Sequence, residues 1–176
     1  MKHLALAFML AACPATAIAQ SAQCVPQGQA AALVTVALPT LVTQLAQRCQ
    51  AELPPNAYLV ANAQALADRY RPDADAAWPA ARSAIAGLFT RFLGQPMPSD
   101  MNAEVLRLLA EPALGALLAK QIKTDDCVTA DLAVSSAAAL RGRDLGRLAA
   151  LGAAIADRKG TGIAGVLRVC RPETGR

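Results

Sequence analysis

Residues 1–19 decide which part of the chain folds and under what chemistry it does so. Lys2 and His3 give a short positive start, residues 4–12 are an unbroken apolar run, and Ala17-Ile18-Ala19 supplies the small side chains of an A-x-A cleavage site. That order is the pattern of a secretory signal peptide, with cleavage expected between Ala19 and Gln20. The apolar run is short of the roughly 20 residues that a permanent membrane helix needs. The expected product is a single domain of residues 20–176. Leu10-Ala11-Ala12-Cys13 also resembles a lipobox, which would leave the protein anchored through a lipidated Cys13. The short segment before Cys13 and the A-x-A site that follows favour simple cleavage. No other stretch reaches 18 consecutive apolar residues, so no transmembrane span is expected after signal removal.

Export changes the meaning of the cysteines. Cys13 leaves with the leader, and Cys24, Cys49, Cys127 and Cys170 remain, an even number in an oxidising compartment. Two disulfides follow, with three possible connectivities.

The chain is rich in alanine and leucine, and only 3% of it is aromatic, which favours helix over strand. Punctuation by Pro, Gly, Asp and Asn divides it into six segments. The first, 29–51, carries the stripe Val34, Leu38, Leu41, Val42, Leu45 and Cys49, with a kink expected at Pro39. The second, 57–70, ends at Arg71-Pro72-Asp73. The third, 76–93, opens with Asp75 as N-cap and Pro79 in its first turn; Trp78, Ile85, Leu88, Phe89 and Phe92 line one face. The fourth is capped by Ser99 or Asp100, shows a Val105, Leu108 and Leu109 face, and is broken or kinked at Pro112 before Leu114, Leu117, Leu118 and Ile122. The fifth opens at Thr124 with Asp125 and Asp126 in its first turn and carries Val128, Leu132 and Leu140. The sixth, 143–158, points Leu145, Leu148 and Ile155 inward and Arg143, Arg147 and Arg158 outward. The expected fold is an all-α, single compact bundle of about six helices braced by two disulfides.

An antiparallel hairpin of the last two helices places Cys127 near the chain that leaves the second of them. That favours Cys127–Cys170 and, by elimination, Cys24–Cys49. The second pair has a condition attached. A straight helix would hold Cys24 and Cys49 roughly 30 Å apart, against the roughly 4.4–6.8 Å Cα separation of a disulfide. Without a kink at Pro39 or a folded-back N-terminal segment, Cys24–Cys170 with Cys49–Cys127, or the third pairing, must hold.

The only histidine is His3, inside the leader. A mature chain without imidazole cannot run Ser-His-Asp or Cys-His catalysis or hold a histidine-containing metal site. There is no Cys-x-x-Cys pair, and wide cysteine spacing argues against a four-cysteine zinc site. Asp73 with Asp75, and Asp125, Asp126 with Asp131, fall at expected helix starts, where capping accounts for them. Ser135-Ser136 lies mid-helix with no elbow and no base. No catalytic residue, cofactor or metal is expected.

Net charge is +4, or +3 once Lys2 is gone, too little to argue for nucleic acid. Arg141, Arg143, Arg147, Arg158 and Lys159 nevertheless make the C-terminal hairpin locally basic, partly balanced by Asp144 and Asp157. They form a candidate contact patch for an anionic surface or an acidic partner. The function expected is that of a non-enzymatic envelope module working through protein or surface contacts. The alternatives are a carrier of a small apolar ligand or lipid, with Trp78, Phe89 and Phe92 around it, and an enzyme using carboxylates alone.

Overall fold

A computed structural model describes residues 24–98, 100–158 and 168–170. The expected leader with its expected cut at Ala19–Gln20, Cys13, the alternative cap Ser99 and Lys159 lie outside the described residues. Five helices follow in order: α1 (Gln27–Cys49), α2 (Tyr58–Leu93), α3 (Ala103–Lys120), α4 (Cys127–Ala137) and α5 (Gly142–Arg158), with a 3-10 turn at Thr124–Asp126 leading into α4. The described residues contain no strand; an isolated parallel bridge joins Val25 to Val169, through Val25 N–H to Arg168 O and Cys170 N–H to Val25 O.

α1 is the axle of the bundle, packed by α2, α3 and α5. It is apolar over most of its surface, and its buried residues include Leu33, Thr35, Val36, Leu38, Pro39, Val42, Leu45 and Cys49, as a helix packed by three others must be. By length and composition alone it would pass for a membrane span, which the count of consecutive apolar residues had missed because Thr35, Thr40 and Thr43 interrupt the run. Two-thirds of that stretch, 67%, is instead buried inside the bundle.

Prolines do not divide the helices as expected. α1 passes through Pro39, and the segments expected at 57–70 and 76–93 are one helix of 36 residues that passes through Pro72 and Pro79. Pro72 and Pro79 are seven residues apart, hence two turns along the same face, and that face is exposed. The backbone bonds they remove therefore lie on the solvent side, where water takes the freed carbonyls. Asp75 is consequently not an N-cap. α3 is likewise continuous through Pro112, and its cap is Asn102, whose side chain accepts from Glu104 N and Val105 N. Ser99 and Asp100 had been read one turn too early. Fusion of the second and third segments makes five helices rather than six.

α4 lies beside the first third of α2 and runs the same way, held by polar contacts at both ends. Ala57 offers no side-chain cap to α2, but Asp131 of α4 accepts the Leu59 N–H at 2.5 Å. Arg69 of α2 donates to Ala138 O and Ala139 O, where α4 runs out. Each helix thereby satisfies end groups of the other.

The disulfides are Cys24–Cys170 and Cys49–Cys127, with Cα separations of 4.9 and 5.5 Å. The expected pairs Cys24–Cys49 and Cys127–Cys170 do not form. Because α1 runs unbroken through Pro39, the condition for Cys24–Cys49 is not met: some 23 residues of helix, about 35 Å, stand between them. One disulfide ties the two ends of the folded chain; the other ties the end of α1 to the start of α4.

The bulky residues of the later helices also depart from expectation. Leu148 and Ile155 of α5, Val105, Leu108 and Leu109 of α3, and Val128 and Leu132 of α4 are all exposed. α5 instead turns Gly146, Ala150 and Ala154 inward. A Cβ built on Gly146 would collide with Thr35 Oγ1 and Ala31 O of α1; on Gly115 of α3 it would come within 2.8 Å of the Thr40 side chain. Both helices lie against α1 at distances that only glycine permits, so their leucines turn outward.

Candidate functional site

The residues with chemical potential are dispersed into structural roles. All four described cysteines are paired. Asp73 holds Arg141 at 3.1 Å, Asp75 holds Arg107, and Asp131 caps α2. Arg107 is further enclosed by Glu111 at 3.4 Å and by the Trp78 ring, 5.7 Å from its guanidinium carbon. The hydrogen bond it donates to Asp75 raises its pKa above the ordinary arginine value, which fixes it as a cation bracing α3 against α2. Among the described residues no three His, Cys, Asp or Glu side chains gather as metal ligands. Ser135 donates to Leu132 O within its own helix.

The aromatic pocket does not take shape. Trp78, Ile85 and Leu88 are half-buried and pack on the alanine-rich core. Phe89 is half-buried too, and the Phe92 side chain lies outside what is described.

The basic patch is divided. Arg141 is taken up by Asp73, a carboxylate only 12% exposed, and works as a brace between α2 and the start of α5. The Arg158 side chain and Lys159 lie outside what is described. Arg143 and Arg147, four residues apart on α5 and so on one face, come together with residues that sequence reasoning had not singled out. They line a groove of about 450 Å³ whose other walls are Gln27, Gly28, Ala31, Ala32 and Thr35 of α1, Ala77 of α2, and Ala150 and Leu151 of α5.

The groove exists because the seam is built of small residues. Gly28, Ala31, Ala32 and Thr35 on α1 face Gly146 and Ala150 on α5, so the backbones approach and leave an alanine floor. Small residues every fourth position were the sequence signal for this seam, hidden within general alanine richness.

Both arginine side chains are largely exposed, and among the described residues the carboxylate beside them is Asp144, whose Oδ1 lies 4.0 Å from Arg143 and 3.8 Å from Arg147. These separations exceed hydrogen-bond distance. α1 begins here at Pro26 with no side-chain cap and no acidic residue in its first turn, so the positive end of its dipole is uncompensated. Among the described residues the buried Gln27 Nε2 finds no hydrogen-bond acceptor. The Thr35 hydroxyl, by contrast, is satisfied by Ala31 O at 2.8 Å.

A second surface is purely apolar. Val105, Leu108, Leu109 and Leu117 recur along α3 at helical spacing and are 52%, 75%, 66% and 51% exposed. Thr35 and Thr40, the α1 contacts of α5 and α3, point about 140° apart around α1, so this row and the groove lie on different flanks. No protein-family model, curated protein or solved structure matches the chain.

Proposed function

We propose that residues 20–176 form an exported, non-catalytic module of the cell envelope that works by contact, holding a partner protein against the outer face of α3. One observation carries this reading: the exposed row Val105, Leu108, Leu109 and Leu117. Large apolar side chains in a contiguous stripe are the usual mark of an interaction surface, and a helix face with anchors at this spacing suits recognition by a groove or another helix. The leader and the two disulfides support the export half of the proposal. The chemistry left after loss of His3 supports the non-catalytic half.

Two measurements test it. Intact mass of the native protein should correspond to Gln20–Arg176 with four oxidised thiols; a chain retaining Met1 with reduced thiols would remove the export half. A photo-crosslinking residue at Leu109, installed in the native cell, should yield a discrete protein adduct that the same residue at Ser83 on α2 does not. Absence of any such adduct from positions 105, 108, 109 and 117 alike would end the contact reading.

A further inference from the structure

The geometry points to the α1–α5 groove as a binding site for a small anionic amphiphile, with a carboxylate or phosphate head beside a hydrocarbon body. Two features converge on that class. Arg143 and Arg147 present two guanidiniums on one wall, and a guanidinium is a planar fork of N–H donors matched to a carboxylate or phosphate. Asp144 stands near one nitrogen of each, at 3.8–4.0 Å, and so does not occupy the forks. Ala31, Ala32, Ala77, Ala150 and Leu151 supply an apolar floor.

These features exclude the simpler occupants. A bare inorganic anion would satisfy the arginines and leave the alanine floor in water. A plain hydrocarbon would cover the floor and make no use of the two guanidiniums. Only a molecule with both parts meets the whole lining, and about 450 Å³ lies within the usual range of roughly 300–1,000 Å³ for small-molecule sites. The uncapped start of α1 adds to the pull on the head group. This site is independent of the α3 surface, so either can fail without the other.

Calorimetric titration of the oxidised mature protein tests it, with octanoate, octyl phosphate, inorganic phosphate and octanol as probes, and anionic phospholipid vesicles in a separate arm. Octanoate or octyl phosphate should bind with one-to-one stoichiometry, about ten-fold or more tighter than octanol or inorganic phosphate. The preferred head group separates a fatty-acid source from a phospholipid one. Arg143→Gln with Arg147→Gln should weaken that binding about ten-fold or more, while Arg82→Gln, away from the groove, leaves it unchanged. If circular dichroism shows the double variant misfolded, Arg147→Lys, which keeps charge and loses the fork, should still weaken the amphiphile severalfold. Equal binding of octanol and octanoate would overturn the proposal. So would inorganic phosphate matching octyl phosphate, vesicle binding without binding of the monomeric amphiphiles, or a folded double variant with full affinity.

Discussion

The two halves of the core are built from different materials. Around the end of α1, Leu38, Val42, Leu45, Leu53, Leu59, Leu66 and Tyr70 pack with Cys49 and Cys127. Around its start, Ala30, Ala31, Ala32, Ala81, Ala84, Ala150 and Ala154 join Val25, Leu33, Val36 and Val169. The leucine half gains stability by burying volume. The alanine half has little volume to bury, so it brings backbones together and ties its ends with Cys24–Cys170. It is also the half that contains the groove. Shallow packing between small residues leaves room for a ligand, and a terminal disulfide keeps that loosely filled end closed.

The largest expected effect separates the two disulfides. Cys49 and Cys127 are 0% and 1% exposed, so Cys49→Ala with Cys127→Ala loses both a constraint on the unfolded chain and buried contacts in the leucine half. Loss of about 4–5 kcal/mol is expected from loop entropy and packing together. Cys24→Ala with Cys170→Ala removes the longer closure, 146 residues, but from the end with least to hold it. Its opening should be local, costing about 2–3 kcal/mol. Chemical denaturation of both variants, with hydrogen exchange on the second, checks this. Equal losses, or exchange protection lost throughout α2 in the second variant, would show that the core is not divided in this way.

Substitutions within each half sharpen the contrast. Leu59, fully buried, should cost about 3–4 kcal/mol as Leu59→Ala, through the cavity it leaves. In the alanine half the damaging direction is reversed. Gly146→Val must push α5 off Thr35 and Ala31, at about 2–3 kcal/mol, and its thermal melt should fall accordingly. If Gly146→Val melts like the parent, the seam is less close than it stands here.

Much of this architecture was legible in the chain. Helical class, two disulfides and the positions of the helical segments, two of them fused into α2, follow from alanine and leucine content, an even cysteine count and periodicity. What misled was local chemistry overridden by packing. Pro72 reads as a stop, yet its lost bond faces water and α2 continues. Leu148 and Ile155 read as core, yet Gly146 brings α5 so close to α1 that only small residues fit between. The Cys24–Cys49 pair rested on a fold-back that α1, continuous through Pro39, does not make. In the site, Arg143 and Arg147 were visible as part of a charge cluster. Gln27 was not, since nothing in a polar residue near a helix start reveals that it will line a groove.

Polar contacts between α2 and α4 come next in size. Asp131→Asn weakens the cap on Leu59 N–H, and Arg69→Gln uncovers Ala138 O and Ala139 O. Each should cost about 1–2 kcal/mol by urea denaturation, because part-buried backbone groups lose their partners. The double variant should lose less than the sum if the two contacts act as one clamp.

The smallest effect is one of pH, and it belongs to the leucine half alone. Tyr70 is 2% exposed, and burial, only partly opposed by Arg69, raises its phenol above the ordinary tyrosine value. A group whose pKa is raised on folding binds its proton more tightly in the native state. The stability linked to it is complete below the unfolded pKa near 10.0 and is lost as pH climbs through the folded value. Stability measured between pH 8 and 11 should therefore fall at the alkaline end, and Tyr70→Phe should flatten that fall by a fraction of a kcal/mol to about 1 kcal/mol. The alanine half has no tyrosine in its core cluster, so exchange protection of Ala81 and Ala84 should not follow that local change. A phenylalanine variant that loses stability with pH as steeply as the parent would place the alkaline sensitivity elsewhere.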